Sequence, residues 1–559
     1  MTATAVAPAQ PLSLRSRLIG FGSVYGKSIR DSRRAFLIAA IFLGVFQFVI
    51  LAGVSSIYAT PEARREIINL VKQLGAAASG MAGNPVNIGT LGGYVSWKYG
   101  SIFVVFAGMW SILALSGTLV GEARRGSLDL LASTPLSKQR IAVEKVGAHL
   151  TLLAIIVAIQ TLAAWAGGAV YAKTPADEIS LAAAFGFALW IGLMAIAFGS
   201  VALAVSQFWG RAAGVGIAGA LLVMGWIIQG YHASIPGLGA LTVLTPWAWT
   251  YDHVPLAGQY VWISLLPLAL VPVVLLPLGI AIFNRRDIGA VTTTGLRLPW
   301  RAPRVAVGLA GPTSRSFAER LPLALAWGLG LGAFMLVMAS ISPSLSETVA
   351  KSPELIKVFK SIFPGFEPDA GGFLQLMLQI LFIVAGLAGA TMVSGWASDE
   401  TTGRLEMVLA TPLARAGWAV RAGLGMFGGV AVMTLIAAAG VAIGAASSNS
   451  DVLTPLVGTV ALGLFALAAT GVGLAIGGVF RTSVAAETVA LVVVATYLLD
   501  VLGEALSWPD WTRQLSLTAH MGRPMIGEWD AVGVVACLAL ALGGLLLGAW
   551  GIARRDLRS

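Results

Sequence analysis

A charged, amphipathic insert occurs twice in the sequence. Residues 126–137 read GSLDLLASTPLS and residues 403–413 read GRLEMVLATPL, and the two stretches align at a constant offset of 277 residues. Each insert lies between two long apolar runs. Because an internal repeat changes the expected architecture more than any other sequence feature, this one predicts a chain built from two similar halves.

The composition indicates a membrane protein. Hydrophobic residues make up 57% of the 559 residues and charged residues only 11%, far outside the range of soluble proteins. A helix needs about 20 apolar residues to cross roughly 30 Å of hydrocarbon. Six such runs in the first half lie near 36–58, 101–120, 147–170, 181–206, 212–230 and 260–283. Six more in the second half lie near 321–342, 373–395, 422–446, 453–479, 482–503 and 531–552.

Two further landmarks recur in the same order. The sixth span of each half ends in RRDI at 285–288 or RRDL at 554–557, and an amphipathic segment follows the first span of each half from Pro61 or Pro353. Both repeats begin on the same side and cross six times, so they are parallel. We therefore predict an all-α polytopic membrane protein with about twelve transmembrane helices in two parallel six-helix repeats.

The charges set the orientation. With the amino terminus inside, 26 of the 36 Lys and Arg residues fall in cytoplasmic segments and ten fall outside, as the positive-inside rule requires. Both termini are then cytoplasmic. The net charge of +10 is mostly this signature and does not indicate a nucleic-acid partner.

The sequence divides into four regions. Residues 1–35 are expected to be a cytoplasmic tail with an amphipathic interface helix, although a disordered tail is the alternative. Residues 36–288 and 321–559 are the two six-span repeats. Residues 289–320 are a cytoplasmic linker rich in Arg and Pro.

Neither a nucleotide site nor an enzyme site is predicted. GSVYGKS at 22–28 has three residues between its glycines, whereas a phosphate-binding loop needs four. The histidines His149, His232, His253 and His520 lack partners at metal-ligand spacing, and Cys537 lies within a span. We thus expect no catalytic residue, metal or cofactor in this chain.

Each insert predicts a short cytoplasmic helix. Leu128 and Leu131 lie three residues apart on one helical face, Asp129 lies off that face, and Pro135 must end the helix. Ser137 can cap the next helix. A short helix tied to the ends of the second and third spans could transmit a push, although an ordinary inner loop is the alternative.

At these residues the chain resembles the permease subunits of ABC-2 type transporters. Their inner loop after the second span reads Glu, then Gly-x-Leu-acid, then Thr-Pro-Leu-Ser. In the second copy either Asp399 or Glu400 is the leading acid, Ala414 replaces the capping serine, and Ala422 stands where the first copy has Lys145. The six-span units match the family throughout, and the fused length looks like the polyketide-antibiotic (tetronasin-type) exporter permeases of actinobacteria.

The resemblance implies a coupling helix in each half, near 122–145 and 399–421, that docks on a separately encoded ABC ATP-binding subunit, a homodimer. ATP and magnesium would be held by that partner, and substrate would pass between the halves. The implied coupling residues are Glu122, Gly126, Leu128, Asp129, Leu131, Thr134 and Pro135 in the first half, and Asp399, Glu400, Gly403, Leu405, Glu406, Thr411 and Pro412 in the second.

The resemblance also implies that the second and fifth spans of each half face the substrate path. The residues it selects are Phe103, Phe106, Met109, Trp110, Met224, Trp226, Gln229, Met377, Gln379 and Phe382. Aromatic and methionine side chains suit large apolar molecules, but the same residues also line any packed bundle or simply face lipid.

The expected function is ATP-driven export of hydrophobic antibiotic or drug-like molecules across the bacterial plasma membrane. A lipid or polysaccharide exporter, an ion-gradient-driven carrier with twelve spans, and a membrane enzyme are the alternatives.

Overall fold

Two compact helical units, Met1–Arg297 and Leu298–Ser559, make up the chain. The computed structural model describes residues 23–58, 60–74, 83–124, 135–232, 238–285, 311–351, 353, 356, 366–401, 404–410, 412–505 and 514–555. Within these residues, eleven helices are long and apolar enough to cross a membrane. The predicted all-α polytopic class is confirmed.

The first unit contains the six predicted spans. The first is α1 (Val24–Ile41), a π-helix (Phe42–Phe46) and α2 (Gln47–Ile57) in one uninterrupted run. The amphipathic segment after it is α3 (Pro61–Leu74). The remaining helices are α4 (Leu91–Ser116), α5 (Glu122–Arg124), α6 (Lys138–Tyr171), α7 (Leu181–Trp209), α8 (Arg211–Tyr231), α9 (Pro246–Trp249) and α10 (Leu265–Arg285).

The second unit repeats this order. It contains α11 (Pro312–Ala350), α12 (Ala370–Thr401), α13 (Arg404–Leu409), α14 (Arg415–Ser447), α15 (Leu453–Gly458), α16 (Val460–Val479), α17 (Thr482–Ala505) and α18 (Ala531–Arg554). The helix α17 occupies the eleventh predicted span, although its apolar stretch, Val484–Thr496, is shorter than the others.

Two region boundaries differ from the expected ones. The first span begins at Val24 and continues past residue 35 without a break, so the described part of the amphipathic segment is an extension of that span. In the second unit, α11 begins at Pro312, eight residues before the predicted end of the linker at 320. In both places the helix continues through basic residues beyond its apolar run, since each residue added to an existing helix gains one hydrogen bond.

Glycines allow the helices of the second unit to approach closely. A Cβ on Gly544 would collide with the backbone of Gly471, and one on Gly548 would collide with the carbonyl of Leu474. These contacts join α16 and α18 backbone to backbone, the use of small residues expected between membrane helices.

A turn that the sequence analysis did not identify precedes the last span of each unit. In the first, Val254 and Gln259 form an antiparallel bridge around Gly258, which has φ of 81°. In the second, β1 (Gly522–Arg523) pairs with β2 (Glu528–Trp529) around Gly527, which has φ of 86°. Only glycine adopts such a φ without strain. The two turns are therefore a further structural copy of the internal repeat.

Candidate functional site

The first insert begins at a buried ion pair. The second span continues from α4 through a π-helix (Gly117–Gly121) into α5, where Glu122 Oε1 lies 2.7 Å from Lys145 Nζ of α6. The Lys145 side chain is only 2% exposed, and a buried ammonium needs such a partner. The acid that leads the insert is thus fixed to the third span.

The first insert ends at a helix cap. The Arg140 N–H donates to Ser137 Oγ at 3.2 Å, so Ser137 caps α6 as predicted. Glu144 accepts from Arg140 Nε at 2.8 Å and from the Tyr25 N–H at 3.0 Å. These bonds join the start of α6 to the start of α1. Among the predicted coupling residues, Pro135 is exposed, and Gly126, Leu128, Asp129, Leu131 and Thr134 lie outside the described residues.

The second insert contains the short helix α13, which presents two different faces. Leu405 is 2% exposed and belongs to the core of its own unit, whereas Met407 is 68% exposed. Glu406 and Pro412 are also exposed. The most exposed apolar side chain of the described part of this insert is therefore Met407, which is not among the predicted coupling residues. Gly403, Thr411 and the side chain of Asp399 lie outside the described residues.

A second ion pair holds the start of this insert. Arg555 Nη2 lies 2.9 Å from both carboxylate oxygens of Glu400, and the Thr482 hydroxyl donates to the same carboxylate. Arg555 Nη1 also donates to the Phe480 carbonyl at 3.0 Å. Of the two acids that the sequence left open, Glu400 is thus the one that the structure shows anchored.

Sequence reasoning missed the role of Arg555. We interpreted RRDL at 554–557 only as a cytoplasmic stop signal. The second copy keeps the acid, at Glu400, but has Ala422 in place of the lysine of the first copy. Because a partly buried carboxylate needs a cation, the lost lysine was the signal that another basic residue pairs with Glu400.

The two units therefore brace their inserts differently. In the first unit the cation comes from the third span and Ser137 caps that span. In the second the cation follows the last span, and Ala414 at the start of α14 makes no side-chain cap. Together, the two ion pairs are the ionic anchors of the inserts.

Three of the predicted substrate-path residues are packed inside their own units. Phe103 meets Phe187 edge to face at 6.3 Å between ring centroids. Trp110 stacks on His149 at 4.6 Å. Phe382 lies 5.3 Å from the Phe465 ring and is 1% exposed. These side chains contribute to core packing.

The other seven predicted substrate-path residues lie in three environments. Met109, Met224 and Gln379 are exposed, and Phe106 and Met377 are half-buried. Trp226 and Gln229 line a cavity of about 50 Å³ in the first unit. The cavity thus brings these two predicted path residues of the first unit together around a space.

The comparison with known proteins indicates the family. Residues 23–288 match the model for ABC-2 family transporter proteins, and residues 309–552 match the model for the C-terminal domain of the multidrug efflux system permease Rv1217c. These matches support an ABC-2 type permease. The permease is 28% identical to the multidrug efflux system permease protein Rv1217c of Mycobacterium tuberculosis (strain ATCC 25618 / H37Rv), over 100% of each chain. It is a multi-pass membrane protein.

Proposed function

We propose that the permease is the membrane subunit of an ATP-driven exporter of hydrophobic antibiotic or drug-like molecules. The observation that carries the proposal is the pair of ionic anchors, Glu122 with Lys145 and Glu400 with Arg555. They fix the start of each insert to other spans of the same unit. A push on an insert would consequently be passed to several spans at once.

The power source would be a separately encoded ABC ATP-binding subunit, acting as a homodimer that holds ATP and magnesium. Glu406 and the exposed Met407 would form part of its docking surface in the second unit, with Leu128 and Asp129 serving in the first. The sequence at 22–28 supports a separate ATPase, because three residues separate its glycines, whereas a phosphate-binding loop needs four. The Gly26 N–H at the start of α1 already donates to Ser23 Oγ at 3.0 Å.

The inserts and both termini would lie on the cytoplasmic side of the bacterial plasma membrane. The support is the bias of Lys and Arg toward that side. Fusing green fluorescent protein or alkaline phosphatase to the carboxyl terminus tests this orientation. We expect the green fluorescent protein fusion to fluoresce and the alkaline phosphatase fusion to be inactive. The reverse result would invert the topology.

The substrate would be a hydrophobic molecule of the drug-like kind. Two features support this. The relative is described as a multidrug efflux permease, and the predicted apolar runs contain only two acidic residues, Glu487 and Asp500. Charged side chains within a membrane usually serve ions or charged substrates. Their scarcity favours neutral or apolar cargo.

The test is reconstitution with an ABC ATP-binding subunit from the same organism. Inside-out vesicles holding both proteins should accumulate hydrophobic dyes and macrolides only with ATP and magnesium, also after an uncoupler has removed the proton gradient. The matched control carries the ATPase with its Walker lysine replaced. Uptake driven by the ion gradient alone, or failure of the two proteins to co-purify, would contradict the proposal. Stimulation of ATP hydrolysis by lipids but by no drug would instead favour the lipid exporter.

A further inference from the structure

The first span of the first unit has a continuous exposed apolar face. Its outward side chains, each between 53% and 64% exposed, are Leu37, Ile38, Ile41, Val45 and Val49. Ala39 and Leu43, on the other side of the helix, are buried. Because residues three, four and seven apart share one face of a helix, the five exposed side chains form a stripe along the span. We call it the outward stripe.

Arginines continue the outward stripe at its amino-terminal end. Arg30 and Arg34 precede it in the same helical register, Arg33 lies beside them, and all three are exposed. Asp31, the only acid of α1, is 2.7 Å from Lys27. Within the described residues neither Arg33 nor Arg34 has an acidic partner. With four basic residues and one acid, α1 has a net charge of +3.

The change from arginine to apolar residues places the membrane surface on this helix. No charged residue occurs between Arg34 and the end of α2 at Ile57, so the guanidinium groups lie at the edge of the hydrocarbon. From Leu37 to Val49 the stripe is about 18 Å long at 1.5 Å per residue. One leaflet supplies about half of the roughly 30 Å of hydrocarbon. The stripe therefore spans the depth of one leaflet beneath the arginines.

The start of α1 is held in place by α6. The Tyr25 N–H donates to Glu144 Oε2 at 3.0 Å, and the Tyr25 hydroxyl donates to Thr151 Oγ1 at 2.8 Å. A surface already fixed in position loses less conformational freedom when a ligand binds. The arginines are thus presented on a braced helix.

The second unit lacks this arrangement of arginines. At the start of α11, Arg315 Nε lies 3.0 Å from Glu319 Oε1, and Arg320 Nη1 lies 2.9 Å from Glu319 Oε2. The Arg320 side chain is only 7% exposed and donates to the Met392 carbonyl at 3.2 Å. One acid therefore engages both cations, and little of their charge is left for an outside ligand.

We propose that the outward stripe and its arginines bind an anionic phospholipid, with the lipid phosphate on Arg33 and Arg34 and an acyl chain along the stripe. A guanidinium matches a phosphate in both charge and geometry. The net charge of +3 on α1 favours a lipid of net negative charge over phosphatidylcholine, whose choline group it repels. The site would exist whichever molecule the permease transports, so it does not depend on the proposed function.

The test labels the lipid contact directly. The full permease, without ATPase, is placed in phosphatidylcholine nanodiscs with a small fraction of phosphatidylglycerol that has a diazirine in one acyl chain. A parallel sample contains the same fraction of diazirine phosphatidylcholine. After illumination, peptide mass spectrometry locates the attached lipid. We expect residues 37–49 to be labelled much more by the phosphatidylglycerol probe, and this labelling to be removed by unlabelled phosphatidylglycerol but not by soluble glycerol 3-phosphate.

Ordinary lipid contact is measured in the same spectra on α10. Leu266, Leu270 and Val273 are 57–65% exposed, and no Lys or Arg occurs from residue 253 to residue 284. Both probes should therefore label these residues equally. The ratio of the two labels at the outward stripe, divided by the ratio at α10, is the preference for the anionic lipid.

Variants at the arginines locate the phosphate. Arg33→Gln combined with Arg34→Gln should lower the preference roughly 25-fold, about fivefold for each arginine. Arg33→Lys combined with Arg34→Lys keeps the charge and should retain most of the preference. Arg65→Gln, at an exposed arginine of α3, is the matched control and should label like the wild type.

The inference is overturned if both probes label the outward stripe equally, or if the double glutamine variant keeps the wild-type preference. Protection of the stripe from both probes would overturn it too, because another protein, such as a second permease chain, would then cover this face. Competition by glycerol 3-phosphate would show a site for free phosphate instead. Should the glutamine variant fail to insert, the wild type decides, because high salt must abolish the preference for the anionic lipid. Intact labelling without ATP-driven export would contradict only the proposed function.

Discussion

Arg555 and Glu400 lie 155 residues apart in the chain, yet Arg555 Nη2 is 2.9 Å from both oxygens of the Glu400 carboxylate. The last residues of the second unit are in this way tied to the start of its insert. The first unit achieves the same result with Lys145, only 23 residues after Glu122.

Replacing Arg555 with Met should destabilise the second unit. The partly buried Glu400 would lose its cation, and removing one partner of a fully buried pair costs about 3–5 kcal/mol. Because the two side chains are 14% and 18% exposed, we expect roughly 2–3 kcal/mol, after discounting that figure for solvent screening. The measurement is the melting temperature of the purified permease. Arg523→Met is the control, since its partner Glu528 is 59% exposed, and should change little. An equal loss in both variants would contradict a special role for Arg555.

The two faces of α13 should respond differently to substitution. Met407→Lys should weaken ATPase association and drug-stimulated hydrolysis without changing the melting temperature, because this side chain faces outward. Leu405→Ala should lower the melting temperature, with a loss of about 2–5 kcal/mol in the free energy of unfolding, as for other buried leucines.

Asp129→Lys and Leu128→Ala should weaken ATPase association in the first unit. Leu244→Lys, an exposed residue in a predicted outer connection, is the control. Normal ATPase binding by Met407→Lys and Asp129→Lys together would show that the inserts are ordinary loops.

The helix caps after the two inserts can be tested by two opposite substitutions. Ser137→Ala removes a cap and should cost about 1 kcal/mol, whereas Ala414→Ser should restore one and gain a similar amount. Hydrogen exchange of the Arg140 and Gly417 amides measures this directly, with about a fivefold change in opposite directions. Ser448→Ala, beyond the far end of α14, should leave both amides unchanged. Unchanged exchange at Gly417 in Ala414→Ser would mean that the second cap cannot form.

Asp177 should stabilise the opposite end of the first unit without affecting coupling. Its carboxylate pairs with Arg64 at 2.6 Å, accepts from the Leu91 N–H at 3.0 Å, and has a side chain only 1% exposed. Asp177→Asn removes the charge and leaves Arg64, whose side chain is 15% exposed, without its counter-charge, so we expect a loss of roughly 2–3 kcal/mol after the same discount for solvent screening. Thermal unfolding checks this, with the exposed Glu178→Gln as the control. Weaker ATPase association in Asp177→Asn at a temperature where the protein is folded would contradict the separation of the two ends.

The sequence predicted the features that depend on local pattern. Apolar length predicted the eleven helices of the described residues that are long and apolar enough to cross a membrane, whereas the apolar stretch of α17, the eleventh predicted span, is shorter. Pro135 and Ser137 predicted the helix boundary that Ser137 caps, and the repeated insert predicted the short helix α13. These predictions succeed because the hydrocarbon thickness fixes the length of a span, and because a cap depends on residues within one helical turn.

Only the tertiary structure decided which distant groups meet. Nothing in the spacing pairs Arg555 with Glu400, or buries Leu405 while exposing Met407. Such outcomes depend on how helices far apart in the chain pack and rotate, and a rotation of half a helical turn exchanges the buried face for the exposed one. The sequence alone therefore determined the family, the spans and the inserts, whereas packing decided the anchors, the outward face of α13 and the cavity.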